Sequence, residues 1–96
     1  MSIFDKIVDG KVYLLLSDTY NKFYIGSTTV SLEERLKRHV ESYDEWLKSN
    51  FTSPYLSSFE ILKYPDYRME LIEECSQVSG WDLIKREQYH LSLIHI

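Results

Sequence analysis

The sequence predicts a small α+β domain, a mostly antiparallel sheet with helices packed on it, in the order β-β-α-(α)-β-α. Two observations carry this reading. Residues 11–17, Lys-Val-Tyr-Leu-Leu-Leu-Ser, and residues 22–28, Lys-Phe-Tyr-Ile-Gly-Ser-Thr, are β-rich runs separated by the turn formers of Asp18 to Lys22, so a hairpin opens the fold. After them the apolar period changes: Leu32, Leu36, Val40, Tyr43 and Leu47 recur in the spacing of one helix face.

The helix start is marked by Ser31 with Glu34 three residues on, the spacing of a capping box, and the helix should run from about Leu32 to Lys48. Asn50 to Pro54 breaks the pattern. Residues 55–63 carry a weak signal for a short helix, and Tyr64-Pro65-Asp66 is a turn. Residues 67–74 alternate as a third strand, with Met69, Leu71 and Glu73 on one side. Ser79-Gly80 opens a last helix from about Trp81 to the C-terminus, with Ile84, Leu91 and Ile94 as its buried stripe.

Ninety-six residues make one domain, 1–96, with no internal repeat or linker. Eleven Lys and Arg against 15 Asp and Glu give a net charge of −4, which disfavours a protein that holds nucleic acid by bulk charge but leaves room for a local basic strip. Cys75 is the single cysteine, so no internal disulfide forms, as suits a reducing intracellular compartment, cytoplasm or nucleus. No apolar run approaches membrane-spanning length, and the first residues lack the basic and apolar regions of a signal peptide, so no membrane association is expected.

Chemistry concentrates in three places. Strand parity puts Tyr13, Tyr24 and Gly26 on the same face of the hairpin. The ordinary reading of the tyrosines is core packing; the glycine suggests close approach of a ligand or another backbone. On the first helix Arg35 and His39 are four apart and border the apolar stripe, with Lys37 and Arg38 adjacent; a solvated basic face is the plain alternative. On the last helix Glu87 falls on the core-facing stripe between Ile84 and Leu91, where a carboxylate is costly unless a cation satisfies it. That cation is either a metal or the side chain of Lys85 or Arg86. His90 and His95 match no zinc spacing with Cys75 and are read as incidental.

Lys11-Val-Tyr13, then Tyr24-Ile-Gly26, then Arg35-Leu-Lys-Arg-His39, then Arg86-Glu87-Gln-Tyr together resemble the GIY-YIG nuclease superfamily, from about residue 11 to the end of the chain. The stretch from Ser57 to Glu74 is similar to the connecting segment of short catalytic domains in large DNA viruses, phages and mobile elements. The resemblance implies a three-stranded antiparallel sheet flanked by helices, and divalent-metal hydrolysis of DNA phosphodiester bonds. By position it implies that Tyr13, Tyr24, Arg35, His39 and Glu87 are the catalytic residues, with Glu87 the metal ligand. Lys11 stands where the family often has glycine. The family's asparagine, shortly after the last helix, would fall past Ile96; either the domain is truncated here or the chain lacks that residue.

On this resemblance one Mg²⁺ or Mn²⁺ on Glu87 would act as Lewis acid and stabilise the leaving oxygen, and Arg35 would hold the phosphate. Tyr13 would take a proton from the attacking water, which needs a phenol pKa well below about 10. Tyr24 and His39 would orient the water or assist that transfer. Lys11, Lys22, Lys37 and Arg38 would line a DNA strip, and Gly26 would let the backbone approach the DNA. Grip on DNA should be weak and salt-sensitive, relying on a separate DNA-binding domain or a partner protein. All five catalytic side chains should converge on one concave face. The competing readings are a degenerate, inactive member that binds nucleic acid or protein, and a protein-interaction domain whose tyrosines face the core.

Overall fold

Alternation along the first two strands decides how the molecule is layered. In the computed structural model, which describes residues 5–50, 52 and 54–94, β1 (Ile7–Leu16) and β2 (Phe23–Thr28) form the expected hairpin, with β1 beginning four residues earlier than the run at 11–17 suggests. α1 (Leu32–Lys48), α2 (Phe59–Leu62), β3 (Arg68–Ser79) and α3 (Gly80–Ile94) follow. The sheet is three-stranded and antiparallel in the order β2-β1-β3, so β1 is central. The architecture is the α+β class and element order that the sequence predicts. No helix of the described residues is long and apolar enough to cross a membrane.

Odd and even positions of β1 serve two separate cores. Val12 packs with Ile25, Cys75 and Leu83 on the α3 face. Leu15 packs with Phe59, Ile61 and Leu62 on the other face, under α1 and α2. The weak segment at 55–63 thus becomes the plug of one core. Phe59 is ringed by Tyr43, Trp46 and Tyr55 at centroid distances of 5.4, 5.6 and 5.5 Å. Aromatic pairs at such distances add about 0.5–1.5 kcal/mol each beyond area burial.

α1 has the predicted bounds, and Ser31 caps it by accepting the Glu34 backbone N–H at 3.1 Å. Glu34 itself turns to Arg38, 3.4 Å away, rather than back to the cap. The buried face is rotated slightly from the expected stripe: Trp46 packs inward while Leu47 is exposed, and His39 is buried. α3 is shifted in the same way. Leu83 and Leu91 pack on the sheet, whereas Ile84 is half-buried and Ile94 exposed, so the stripe runs Leu83–Glu87–Leu91. Gly10 admits this packing, since a Cβ there would lie 2.6 Å from Leu83 Cδ2.

β3 departs from simple alternation. Val12 pairs with Glu73 but Tyr13 with Leu71, so Ile72 is an extra residue in a bulge. A second irregularity lies between the Val8 and Gly10 partners, where Gln77 has φ 56° and donates its N–H to Asp9 at 3.0 Å. Met69, Leu71 and Glu73 therefore do not share one environment. Met69 packs toward Leu15, Leu71 is exposed, and Glu73 meets α3. The β1–β2 turn is tied down by Asp66, which accepts the Ser17 hydroxyl at 2.5 Å and both the N–H and hydroxyl of Thr19 at 3.1 Å.

Candidate active site

Tyr13 and Tyr24 face the α1 side of the hairpin, as parity requires, because Tyr13 pairs with Gly26 and Leu15 with Tyr24. Tyr13 is fully buried, and a Cβ on Gly26 would lie 2.5 Å from its hydroxyl oxygen and 2.7 Å from Cζ. Gly26 is thus filled by a neighbour nearer than any ligand: its bare Cα leaves the space that the end of the Tyr13 ring occupies.

α1 sends two side chains to that ring. His39 Nε2 lies 2.7 Å from the Tyr13 hydroxyl, and Arg35 donates its Nε–H to the same oxygen at 3.2 Å. The imidazole stands edge-on to both tyrosines, at 5.8 Å from Tyr13 and 5.5 Å from Tyr24. The four-residue spacing of Arg35 and His39 brings both to one phenol because residues four apart stack on one helix face.

Burial sets the protonation states. The Tyr13 phenol is pushed up to about 12, chiefly by burial, against which Arg35 pulls down while Tyr24 and Glu87 push further up. This corrects the expected lowering of that phenol: the Arg35 guanidinium acts in the anticipated direction, but loss of solvent outweighs it. His39 is held down to about 4, by burial first and Arg35 second, so it is neutral at physiological pH. A neutral imidazole beside a protonated phenol accepts the phenolic proton on Nε2, which leaves the ring's own proton on Nδ1.

Glu87 arrives from the other side of the sheet. Its Oε1 accepts the hydroxyl of Ser27 at 2.9 Å; Ser27 follows Gly26 and points to the α3 face. The Glu87 charge is close enough to oppose ionisation of Tyr13. The cluster therefore straddles strand β2 instead of gathering on one concave face, with four side chains from one side and the carboxylate from the other. Arg86 does not neutralise Glu87; it pairs with Glu73 at 2.7 Å, which His90 also meets at 2.7 Å. Among the described residues no three His, Cys, Asp or Glu side chains form a metal-binding group, so Glu87 belongs to none. His95 lies outside the described residues.

An open groove of about 580 Å³ touches both Arg35 and Ser27 and carries Lys6 and Arg38 on its walls. Of the anticipated DNA strip, Arg38 lines this groove. Lys11 pairs with Thr28 near it, whereas Lys22 sits at the turn end of the hairpin and exposed Lys37 is two residues round the helix from Arg35. Ser27 and Lys6 were not singled out by sequence. Parity alone would have found Ser27, since the residue after a face-matched glycine must face the opposite helix.

A family profile described as the GIY-YIG catalytic domain matches residues 9–93. No curated protein and no solved structure matches the chain. The profile runs from the start of β1 almost to the end of α3, so it takes in every side chain of the cluster, and the chain belongs to the GIY-YIG catalytic domain family, a family of nucleases.

Proposed function

We propose that the chain is a divalent-metal-dependent DNA endonuclease in which Tyr13 and His39 move the proton of the attacking water, Arg35 holds the phosphate and Glu87 holds the metal. The observation that carries this reading is the shared phenol oxygen of Tyr13, which meets Arg35 and His39 at once and lies within the field of Glu87. Core tyrosines alone would not need a half-buried guanidinium and a buried imidazole on the same hydroxyl.

The phenol, raised chiefly by burial, favours a relay over a standing phenolate at neutral pH. In this relay Tyr13 Oη, buried in the free chain, takes a proton from a water admitted with the substrate as its own proton passes to His39 Nε2, so one proton leaves water and one arrives on the imidazole. A phosphate bound by Arg35 helps this step. Burial is the main cause that holds His39 down and the Arg35 charge the second; a bound phosphate offsets the second, so the imidazole becomes a better acceptor when substrate is in place. Arg35, half-buried and aimed at the reacting side, stabilises the charge that grows on the phosphoryl oxygens.

Glu87 suits Mg²⁺ or Mn²⁺. It is one carboxylate, oriented by Ser27 and in no ion pair among the described residues, and Mg²⁺ commonly takes one or two carboxylates with waters and substrate phosphate oxygens. Such a metal supplies Lewis-acid stabilisation of the leaving oxygen. The test is nicking of supercoiled plasmid with Mg²⁺ or Mn²⁺ by the wild-type chain, Tyr13→Phe and Glu87→Gln. The reading expects nicking by the wild type alone. A wild type without nicking, or either variant at wild-type rate, overturns it and leaves the degenerate-member reading.

A further inference from the structure

The groove beside the cluster has a lining that phosphate binding by itself does not require. Lys6 and Arg38 supply positive charge, yet Val8, Leu83 and Ile84 give it apolar walls, and Thr29 stands exposed at its mouth. A stacked duplex presents phosphates and sugars to a protein and keeps its bases inside, so a basic surface suffices to hold it. An apolar-walled groove within the roughly 300–1,000 Å³ that small organic ligands occupy suits a base and its sugar taken out of the stack.

Resting on the nuclease reading above, we infer that this groove receives one unpaired nucleotide of the DNA strand next to the scissile phosphate. The sugar and base lie against Val8, Leu83 and Ile84, and the flanking phosphates meet Lys6 and Arg38. Continuity with the reacting centre supports that occupant, because Arg35 and Ser27 line the groove and also belong to the cluster. The net charge supports it too. On a chain of −4 few phosphate contacts are available, and burial of a base supplies affinity that charge does not. Extruding a base from an intact duplex costs a few kcal/mol, so DNA with a bulged or otherwise unpaired nucleotide is the preferred substrate class.

The experiment measures binding of the full chain without divalent metal, so that it stands apart from cleavage. Two oligonucleotide duplexes are compared at one salt concentration by anisotropy: one fully paired, the other with a single bulged 2-aminopurine. The inference expects at least tenfold tighter binding of the bulged duplex, with a change in 2-aminopurine emission. It expects Thr29→Trp, which fills the groove from an exposed position, to erase that preference while keeping the affinity for paired DNA. Thr29→Glu, which repels a phosphate at the same position, should do so where circular dichroism shows that tryptophan is not tolerated. Lys6→Gln should weaken bulged binding several-fold. Equal affinity for both duplexes, binding of neither, or a preference surviving both Thr29 changes overturns the inference. A chain that prefers the bulge but never nicks DNA keeps the groove assignment and rejects the nuclease reading; a nicking chain with no preference does the reverse.

Discussion

Replacing Gly26 by alanine tests how tightly the site is built into the sheet. The added Cβ would stand 2.5 Å from the Tyr13 hydroxyl, 2.7 Å from its Cζ and 3.0 Å from Tyr24 Cε1, all inside contact distance. Tyr13 cannot step aside freely, because its ring is fully buried and its hydroxyl is held at 2.7 Å by His39 and 3.2 Å by Arg35. To reach ordinary contact the ring must move by about 1 Å, which breaks one or both bonds. Overpacking of this kind costs about 1–3 kcal/mol, and at roughly 4–8 °C per kcal/mol the melting temperature should fall by about 4–24 °C. A shift of about 1 Å in a reacting group costs on the order of 100-fold in rate. Urea unfolding followed by Trp fluorescence reads the first effect, and plasmid nicking at a temperature where the variant is folded reads the second. Gly26→Ala combined with Tyr13→Phe should recover part of the lost stability, since the closest contact is then gone. A single variant with wild-type stability and wild-type nicking would refute the packing account.

Arg35→Ala should lower nicking by a few orders of magnitude with the fold intact, and Arg35→Lys should rescue it only in part, because a point charge lacks the planar fork. Arg38→Ala, which removes a partly exposed ion pair with Glu34, should instead weaken DNA binding several-fold, mostly at low salt; equal small losses from both would reduce Arg35 to part of a basic surface. The pH dependence of stability has a fixed sign on both sides. His39 is held at about 4 against an ordinary 6.5, so its contribution is complete above 6.5 and lost as pH falls toward 4. Tyr13 is held at about 12 against an ordinary 10, so its contribution is complete below 10 and lost as pH rises toward 12. Urea midpoints across pH should therefore fall on both flanks, and His39→Gln should flatten the acid flank alone; an unchanged acid flank would refute the burial of a neutral imidazole.

Much of the molecule was legible because its two periods are clear. The hairpin and α1 follow from alternation and from a four-residue spacing with a cap, and the bounds Leu32–Lys48 come out as predicted. Phase was harder than period. A helix turns by about 100° per residue, so a stripe read as Leu47 or Ile84 is one residue away from Trp46 and Leu83, which face the core. β3 was misread where the chain inserts Ile72, because a bulge resets the alternation and leaves no mark in the residue types around it. That Tyr13, Tyr24, Arg35 and His39 lie together follows from motif order, yet the protonation of Tyr13 does not. Its environment is the product of Tyr24, Gly26 and the Arg35–His39 face of α1 closing over β1, and no local spacing reports how much water they exclude.

Two consecutive residues of β2 explain why the cluster forms at this place in the sheet. Gly26 faces α1 and has no side chain, so Tyr13 can extend its hydroxyl across the strand to meet Arg35 and His39. Ser27 necessarily faces α3, and its hydroxyl holds the Glu87 carboxylate. Arg35 and His39 on one side and Glu87 on the other thus reach one strand from opposite helices, without either helix having to cross the sheet. That division also separates their electrostatics. The phenol and imidazole sit in a dry layer that keeps both neutral, while Glu87 is half-buried on the other side of the strand against Ser27. A carboxylate packed directly beside Tyr13 would raise the phenol further and compete with the phosphate for Arg35. Placing it beyond the strand keeps Arg35 available to an anion, as the proposed relay from Tyr13 to His39 would require.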